Sequence, residues 1–308
     1  MKKKVIITGA TGFVGKHLMK FLDSTNYEYT LLTRNPDKLV GESQRFHVVF
    51  GDLNDLDSLK NAFSGQDILI NLAAEVRNPD LLEQTNITGT NNLIEALKSA
   101  NIKKVIHLSS VGVVGKVFSA NPFVVNESEM PTPQNKYEET KLKSEEILLA
   151  QKESFELVVL RPTNVFGEMH PFNALNNLLN HVQAGKIMVY TKQARVNYLY
   201  VGDLCKVIGW FLEHEGHPGV YQVGSAMPLV AFYDQIEKKL NLHGKRLVFP
   251  NSIVKCSEFM GIRKLRAISN QVVYDDSKLK NLIGSYHFGI DKGLDLTIDY
   301  FRKNGLLK

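Results

Sequence analysis

A doubly wound α/β fold, a parallel sheet covered by helices on both faces and followed by a smaller C-terminal α/β part, is what this sequence predicts. Three observations predict it. Short, continuous apolar runs alternate with helical segments through the first half. A glycine-rich turn follows the first of those runs. No apolar stretch approaches the length of a membrane span, and no internal repeat or low-complexity tract suggests another architecture.

The elements come in order. Buried-strand runs are read at Val5–Thr8, Tyr29–Thr33, Phe46–Phe50, Ile68–Leu72, Val105–Ser109 and Leu157–Leu160. Between them, Phe13–Leu22 has helical spacing. Pro79–Ala100 reads as one long helix, with Asn78 as N-cap and proline at the first helical position. Gln134–Leu149 is a charged amphipathic helix. Beyond Gly167 the pattern thins to a helix at Asn173–Ala184, a strand at Ile187–Tyr190 and a helix at Gly202–Leu212. The expected division is 1–166 for the first domain and 167–308 for a smaller substrate-binding region, with the chain crossing back near 196–215. In such a sheet, ligands bind outside the carboxyl ends of the strands.

Composition narrows the function classes. The 308 residues are 44% hydrophobic and 22% charged, with a formal net charge of +5. That balance suits an anionic small molecule and is too weak to argue nucleic acid. The two cysteines, Cys205 and Cys256, form neither a CxxC pair nor a zinc spacing, so they read as reduced thiols of a cytoplasmic protein. No metal-ligand cluster is visible, and the opening lysines lead into no signal-peptide core. Ile253–Ile268, with Lys255, Arg263, Lys264 and Arg266, reads as a solvated helix face.

Chemistry enters with Thr8-Gly9-Ala10-Thr11-Gly12-Phe13-Val14-Gly15, between the first strand and the first helix. Its glycines allow a tight turn, close backbone approach to a pyrophosphate, and close packing of helix on strand. The N–H groups of Phe13 and Val14 and the helix dipole favour the phosphate charge. This predicts a dinucleotide. Strand two ends Leu31-Leu32-Thr33-Arg34 with no carboxylate for the ribose hydroxyls. Arg34 suits a 2′-phosphate, so NADP(H) is favoured and NAD(H) stays open. Asp52 and Leu53, and then Leu72, Ala73 and Ala74, follow strands three and four where adenine and the cofactor backbone would lie.

Tyr137 and Lys141, at i and i+4, share a helical face just after the strand tipped by Ser110. A phenol is a weak base at neutral pH, and a neighbouring ammonium with an oxidised nicotinamide would bring it into working range. Ser110 would hold the substrate oxygen while Tyr137 gives or takes its proton. A second Tyr-x-x-x-Lys, Tyr274 to Lys278, has no serine-tipped strand before it and reads as structural.

With these motifs the chain resembles the extended short-chain dehydrogenases/reductases, also called the NAD-dependent epimerase/dehydratase family. The likeness runs nearly end to end. It takes in Thr8–Gly15, Gly51-Asp52-Leu53, Asn71–Ala74, Asn86 through Leu93, Leu108–Gly115, Tyr137–Lys141, Leu160–Gly167, Tyr198–Leu204 and Asp276-Ser277-Lys278. The resemblance implies a Ser110-Tyr137-Lys141 triad and cofactor contacts that include Asn86, Ser109 and Pro162. It also implies substrate contact from Asn164, nucleotide-sugar substrates for many members, and a homodimer. Val113-Val114-Gly115 departs from the family's usual Val-Tyr-Gly. Val111 and Gly112 replace the acidic residues common in dehydratases, which argues against elimination chemistry. The loop Tyr190–Tyr198 has no glycine, and Arg195 in it is a candidate diphosphate ligand.

Three readings follow. The first is a reductase or epimerase at a sugar-nucleotide carbonyl. The second acts on an apolar ring alcohol or ketone, dihydroflavonol- or hydroxysteroid-like. The third, a non-catalytic NADP-binding sensor, ranks last because Ser110, Tyr137 and Lys141 are all present.

Overall fold

The computed structural model describes residues 2–115, 122–169, 174–250, 252 and 268–307. The basic segment at 253–267, with Cys256, and the first residue of the helix expected from Asn173 lie outside them. The chain divides into two compact units.

The first unit comprises 2–115, 130–161 and 205–221. Its strands are β1 (Lys3–Thr8), β2 (Tyr27–Thr33), β3 (His47–Phe50), β4 (Ile68–Asn71), β5 (Lys104–Leu108) and β7 (Glu156–Pro162), with β11 (Gly219–Val223) added from further along the chain. They form one seven-stranded sheet in the order β11-β7-β5-β4-β1-β2-β3. Both β2 and β4 run parallel to β1, so the winding reverses at β1.

Helices α1 (Phe13–Phe21), α2 (Leu56–Phe63), α3 (Gly89–Ser99), α4 (Lys136–Leu149) and α6 (Val201–Glu213) belong with these strands in chain order. Ile6, Leu69, Val105 and Val159, from β1, β4, β5 and β7, join Leu93, Leu97 and Leu148 in one buried apolar cluster. The alternation of strand side chains puts Thr8, Asn71 and His107 on that same face, at the carboxyl edge.

The helix expected over Pro79–Ala100 is broken into a 3-10 turn at Pro79–Leu81, a π turn at Gln84–Thr88 and α3. Asn78 does cap the first piece, accepting from the Asp80 amide. The π turn sits where Asn86 turns its amide away from its own helix towards Glu75 and Thr140, and where Thr90 donates back to the Asn86 carbonyl at 2.6 Å.

The second unit takes the described residues of 116–129, 162–204 and 222–308. It contains three small sheets: β12-β10-β8, β13-β9 and β14-β6. Their strands are β6 (Phe123–Val125), β8 (Asn164–Phe166), β9 (Met188–Thr191), β10 (Arg195–Tyr200), β12 (Ser225–Pro228), β13 (Arg246–Phe249) and β14 (Val272–Tyr274). Helices α5 (Ala174–Gln183), α7 (Leu229–Leu240), α8 (Ser277–Ile283) and α9 (Gly289–Lys303) complete its described elements. Phe166, Tyr198, Tyr200, Phe232 and Phe288 make a chain of ring contacts at its centre. Among the described residues, no helix is long and apolar enough to cross a membrane.

Candidate active site

At the carboxyl end of β1 the chain turns sharply through Gly9, whose φ of +72° favours glycine. A Cβ there would stand 2.7 Å from the Ala73 nitrogen, and one on Gly15 would stand 2.3 Å from the Gly9 carbonyl. Side chains are excluded on both sides of the turn, so it leaves a backbone cradle. Gly12 caps α1 without a side-chain hydrogen bond, which keeps the start of the helix open to an anion. Beside this cradle lies a cavity of about 240 Å³. Gly9, Thr11, Gly12, Arg34, Asp52, Leu53, Leu72, Ala73 and Ala74 line it. These residues fit a dinucleotide diphosphate and the groups that flank it. Phe13, Val14 and Gly15 lie just behind, in the first turn of α1.

Sequence reasoning missed Asn35, Lys38, Glu75 and Thr85 on the same walls, and named Gly51 only as part of the family likeness. The Thr33 hydroxyl accepts from the Asn35 amide at 3.1 Å, which shapes the turn that presents Arg34. Lys38 adds a second cation to that end. Glu75 accepts three successive amides, from Val76, Arg77 and Asn78. These bonds, with Arg34 nearby, hold its carboxyl below the usual carboxylate range. Position just after a strand is the signal that could have pointed to Asn35 and Gly51; Lys38 in its 3-10 turn and Thr85 in the π turn carry none.

The three candidate catalytic residues all fall in the first unit. Ser110 follows β5 and caps a 3-10 turn at Val111–Val114, its hydroxyl oxygen accepting from the Gly112 amide at 3.0 Å. That bond uses a lone pair and leaves the O–H to donate. The neighbouring Ser109 is different: it is buried, and it donates to Glu145 at 2.7 Å. Lys141 is buried on α4 and donates to the carbonyl of Leu108, two residues before Ser110, at 2.8 Å.

Tyr137 stands one turn earlier on the same helix, in the first turn. Asn135 caps that turn by accepting from the Glu138 amide, and Glu138 returns the favour to the Gln134 amide. Burial, with the Glu138 carboxylate beside it, pushes the Tyr137 phenol up to about 12. Burial pushes the Lys141 ammonium down to about 8, against a smaller opposing pull from Glu145. The sequence leads one to expect a lowered phenol. In the protein alone desolvation wins, so Tyr137 is poised as a proton donor.

Below these residues lies a buried polar layer. Arg161 and Glu145 form an ion pair, both almost fully buried. Asn86, expected at the cofactor, spends its amide on the Glu75 backbone and on Thr140.

Pro162, Asn164 and Arg195 fall in the second unit. Asn164 opens β8 and donates to the Asn197 carbonyl at 3.1 Å, while Arg195 opens β10 with its side chain exposed. Tyr274 ends β14 and Lys278 belongs to α8, so the second Tyr-x-x-x-Lys shares no helix face.

A wound parallel sheet with a glycine cradle and these strand-end residues defines a nucleotide-dependent α/β enzyme, and comparison with known proteins narrows the class. The model of the NAD dependent epimerase/dehydratase family matches residues 5–224, and the chain belongs to that family. A relative from Escherichia coli O157:H7, N-acetyl-alpha-D-glucosaminyl-diphospho-ditrans,octacis-undecaprenol 4-epimerase, is 32% identical over 70% of this chain. The match spans 64% of that protein's length. The low-salt glycan biosynthesis protein Agl12 of Haloferax volcanii is 24% identical over 96% of this chain and 98% of its own. The crystal structure of UDP-glucuronic acid 4-epimerase from Bacillus cereus in complex with NAD superposes with a TM-score of 0.76. It covers 98% of this chain and 99% of that one at 22% identity, which is a likeness of fold.

Proposed function

We propose that this enzyme transfers hydride between NADP(H) and the carbonyl or alcohol carbon of a diphosphate-linked sugar, with Ser110, Tyr137 and Lys141 as its catalytic residues. The observation that carries the reading is the buried Lys141 ammonium docked on the Leu108 carbonyl at 2.8 Å. That contact ties the helix bearing Tyr137 to the end of the strand that leads into Ser110.

The nicotinamide, when bound, supplies or accepts hydride. The chain's own residues do the rest. Ser110 donates its free O–H to the substrate oxygen and fixes its position. Tyr137, held neutral by burial, gives that oxygen its proton in the reducing direction and takes it back in the other. Lys141, one turn along the same helix, would supply the positive charge that stabilises the phenolate left after the proton moves. Gly9, Gly12 and the start of α1 would hold the diphosphate of the cofactor, and Asp52 and Leu53 its adenine end.

Arg34 and Lys38, two cations on one end of the cavity, favour a 2′-phosphate and hence NADP(H). NADP(H) in turn favours reduction over epimerisation, because an epimerase returns its hydride and usually holds NAD. The name of the Escherichia coli relative supports a sugar on a diphosphate as substrate and keeps epimerisation as the second reading.

Nicotinamide absorbance, followed while the enzyme acts on a freshly made nucleotide 4-keto sugar with stoichiometric NADPH, tests the reading. Loss of absorbance that matches product formed is expected. Interconversion of the matching 4-hydroxy sugar nucleotide with its epimer, without net absorbance change, selects the second reading, and failure of both the keto and the hydroxy sugar to react overturns both. Thr33→Asp with Arg34→Asn should turn cofactor preference towards NADH; an unmoved ratio of dissociation constants removes Arg34 from the cofactor site.

A further inference from the structure

Three adjacent strands each place one polar side chain at the same level of the sheet. Thr8 on β1 is in register with Asn71 on β4, and Asn71 with His107 on β5. All three are buried, at 0%, 1% and 1% exposure. They are hydrogen-bonded in a row. The Ala73 amide donates to Thr8 Oγ1 at 3.2 Å, and Thr8 Oγ1 lies 2.6 Å from Asn71 Oδ1. Asn71 Nδ2 lies 3.0 Å from His107 Nδ1.

The chemistry of the groups gives this row a direction. An amide nitrogen only donates, so His107 Nδ1 accepts and the proton of the neutral ring sits on Nε2. Asn71 Oδ1 only accepts, so the Thr8 hydroxyl hydrogen points to it, and the Thr8 oxygen is left to take the Ala73 N–H. The direction of the row through Asn71 depends on His107 being a neutral acceptor. Burial holds its pKa well below the ordinary histidine value, and the Lys141 ammonium adds to the effect. Glu145 and Arg161, the other charged groups of this layer, are paired with each other. His107 Nε2 has no hydrogen-bond partner among the described residues, so the ring's place in the row is fixed through Nδ1 and Asn71.

We propose that His107 is a positioning residue: by closing this row on β5, it sets the backbone walls of the dinucleotide cavity in place against the strand that leads to Ser110. The walls in question are Gly9, next to Thr8, and Ala73, whose backbone would stand 2.7 Å from a Cβ on Gly9. The proposal rests on the reading of that cavity as the dinucleotide site. Because the row lies beneath the cradle rather than at Arg34, it acts on NADPH and NADH alike.

The test is fluorescence titration of the purified full chain with NADPH and with NADH. His107→Leu, which removes the acceptor, should raise both dissociation constants by the same factor, about tenfold for one broken buried hydrogen bond. His107→Gln, whose amide oxygen can accept from Asn71, should restore both to within about threefold of wild type. Thr8→Val removes the hydroxyl with little change of shape and should act like His107→Leu. It also decides the matter if His107→Leu does not fold.

Nitrogen-15 NMR of the wild-type histidines supplies a readout independent of binding. His107 should show a bare Nδ1 and a protonated Nε2, unchanged across neutral pH. Folded Leu and Val variants that keep both constants within twofold overturn the proposal. So does a Gln variant as poor as Leu, or a His107 that titrates as an ordinary imidazole. Wild type that binds neither nucleotide overturns the cavity reading and the proposal together. Loss of NADPH binding alone in an Arg34 variant concerns only the choice of cofactor.

Discussion

Tyr137 to Lys141 and Tyr274 to Lys278 have the same spacing and almost nothing else in common. The first pair lies on one fourteen-residue helix, α4, whose lysine is buried and docked on the end of β5. In the second pair the tyrosine is the last residue of β14, its amide donating to Asn197 Oδ1 at 3.2 Å, and the lysine sits on the next helix. A spacing of four is a helix-face statement only if both residues are in the helix. What separates the two stretches in the sequence is what precedes them. Asn135 and Glu138 cap the helix start around the first tyrosine, accepting from the Glu138 and Gln134 amides, whereas Asp275 and Asp276 stand between the second tyrosine and its helix.

The largest effect that would sharpen this contrast is on turnover. Tyr137→Phe should lower kcat by about a hundred- to ten-thousand-fold with cofactor binding retained, because only the proton donor is removed. A kcat within threefold of wild type by the absorbance assay would place the donor elsewhere. Next comes the ground beneath α4. Glu145→Gln leaves Arg161 charged and without its counter-ion, so the urea midpoint should fall by the equivalent of about 3–5 kcal/mol. An unchanged midpoint would mean that water already reaches the pair.

Lys141→Met should lower kcat about a hundredfold and, at pH 7, raise the melting temperature. Its sign follows from the pKa. Burial lowers the folded value to about 8 from an ordinary 10.5, so below pH 8 the folded wild type carries a buried ammonium that unfolding releases to water. The variant's advantage is therefore full at pH 7 and shrinks as pH rises from about 8 towards 10.5. A melting difference that stays flat across that window would break the assignment. The smallest effect belongs to the second stretch: Tyr274→Phe with Lys278→Met should leave kcat within about twofold.

The strands of the main sheet and the glycine cradle were legible because each has a local pattern, a β-branched run or a fixed set of glycines. The seventh strand, Gly219–Val223, was not. Its five residues Gly-Val-Tyr-Gln-Val look like any short connector, and only the open edge of β7 makes them a strand. The break at 82–88 was hidden for a similar reason. Asn86 and Thr90 have acceptable helix spacing, and their hydrogen bonds to Glu75 and Ser144 appear only once distant segments meet. In the candidate site, Gly9, Arg34 and Ala73 could be picked out by position after a strand. Lys38 sits in a polar turn with no periodicity, and His107, inside a run of β-branched residues, reads as core. Its partner Asn71 lies thirty-six positions away. The raised phenol of Tyr137 depends on burial, which spacing alone does not reveal.

The late arrival of β11 bears on how the chain is made. After β7 is synthesised, the chain runs from Pro162 to Gly219 through much of the second unit before the strand that covers the β7 edge exists. Until then the nascent sheet ends in a bare row of amides and carbonyls flanked by the apolar run Leu157–Leu160. A ribosome that stalls between those points holds an unfinished sheet open to pairing with a neighbouring chain. Pauses in translation before β11 has left the ribosome should therefore be the ones that lower yield, and slower synthesis after that should cost nothing.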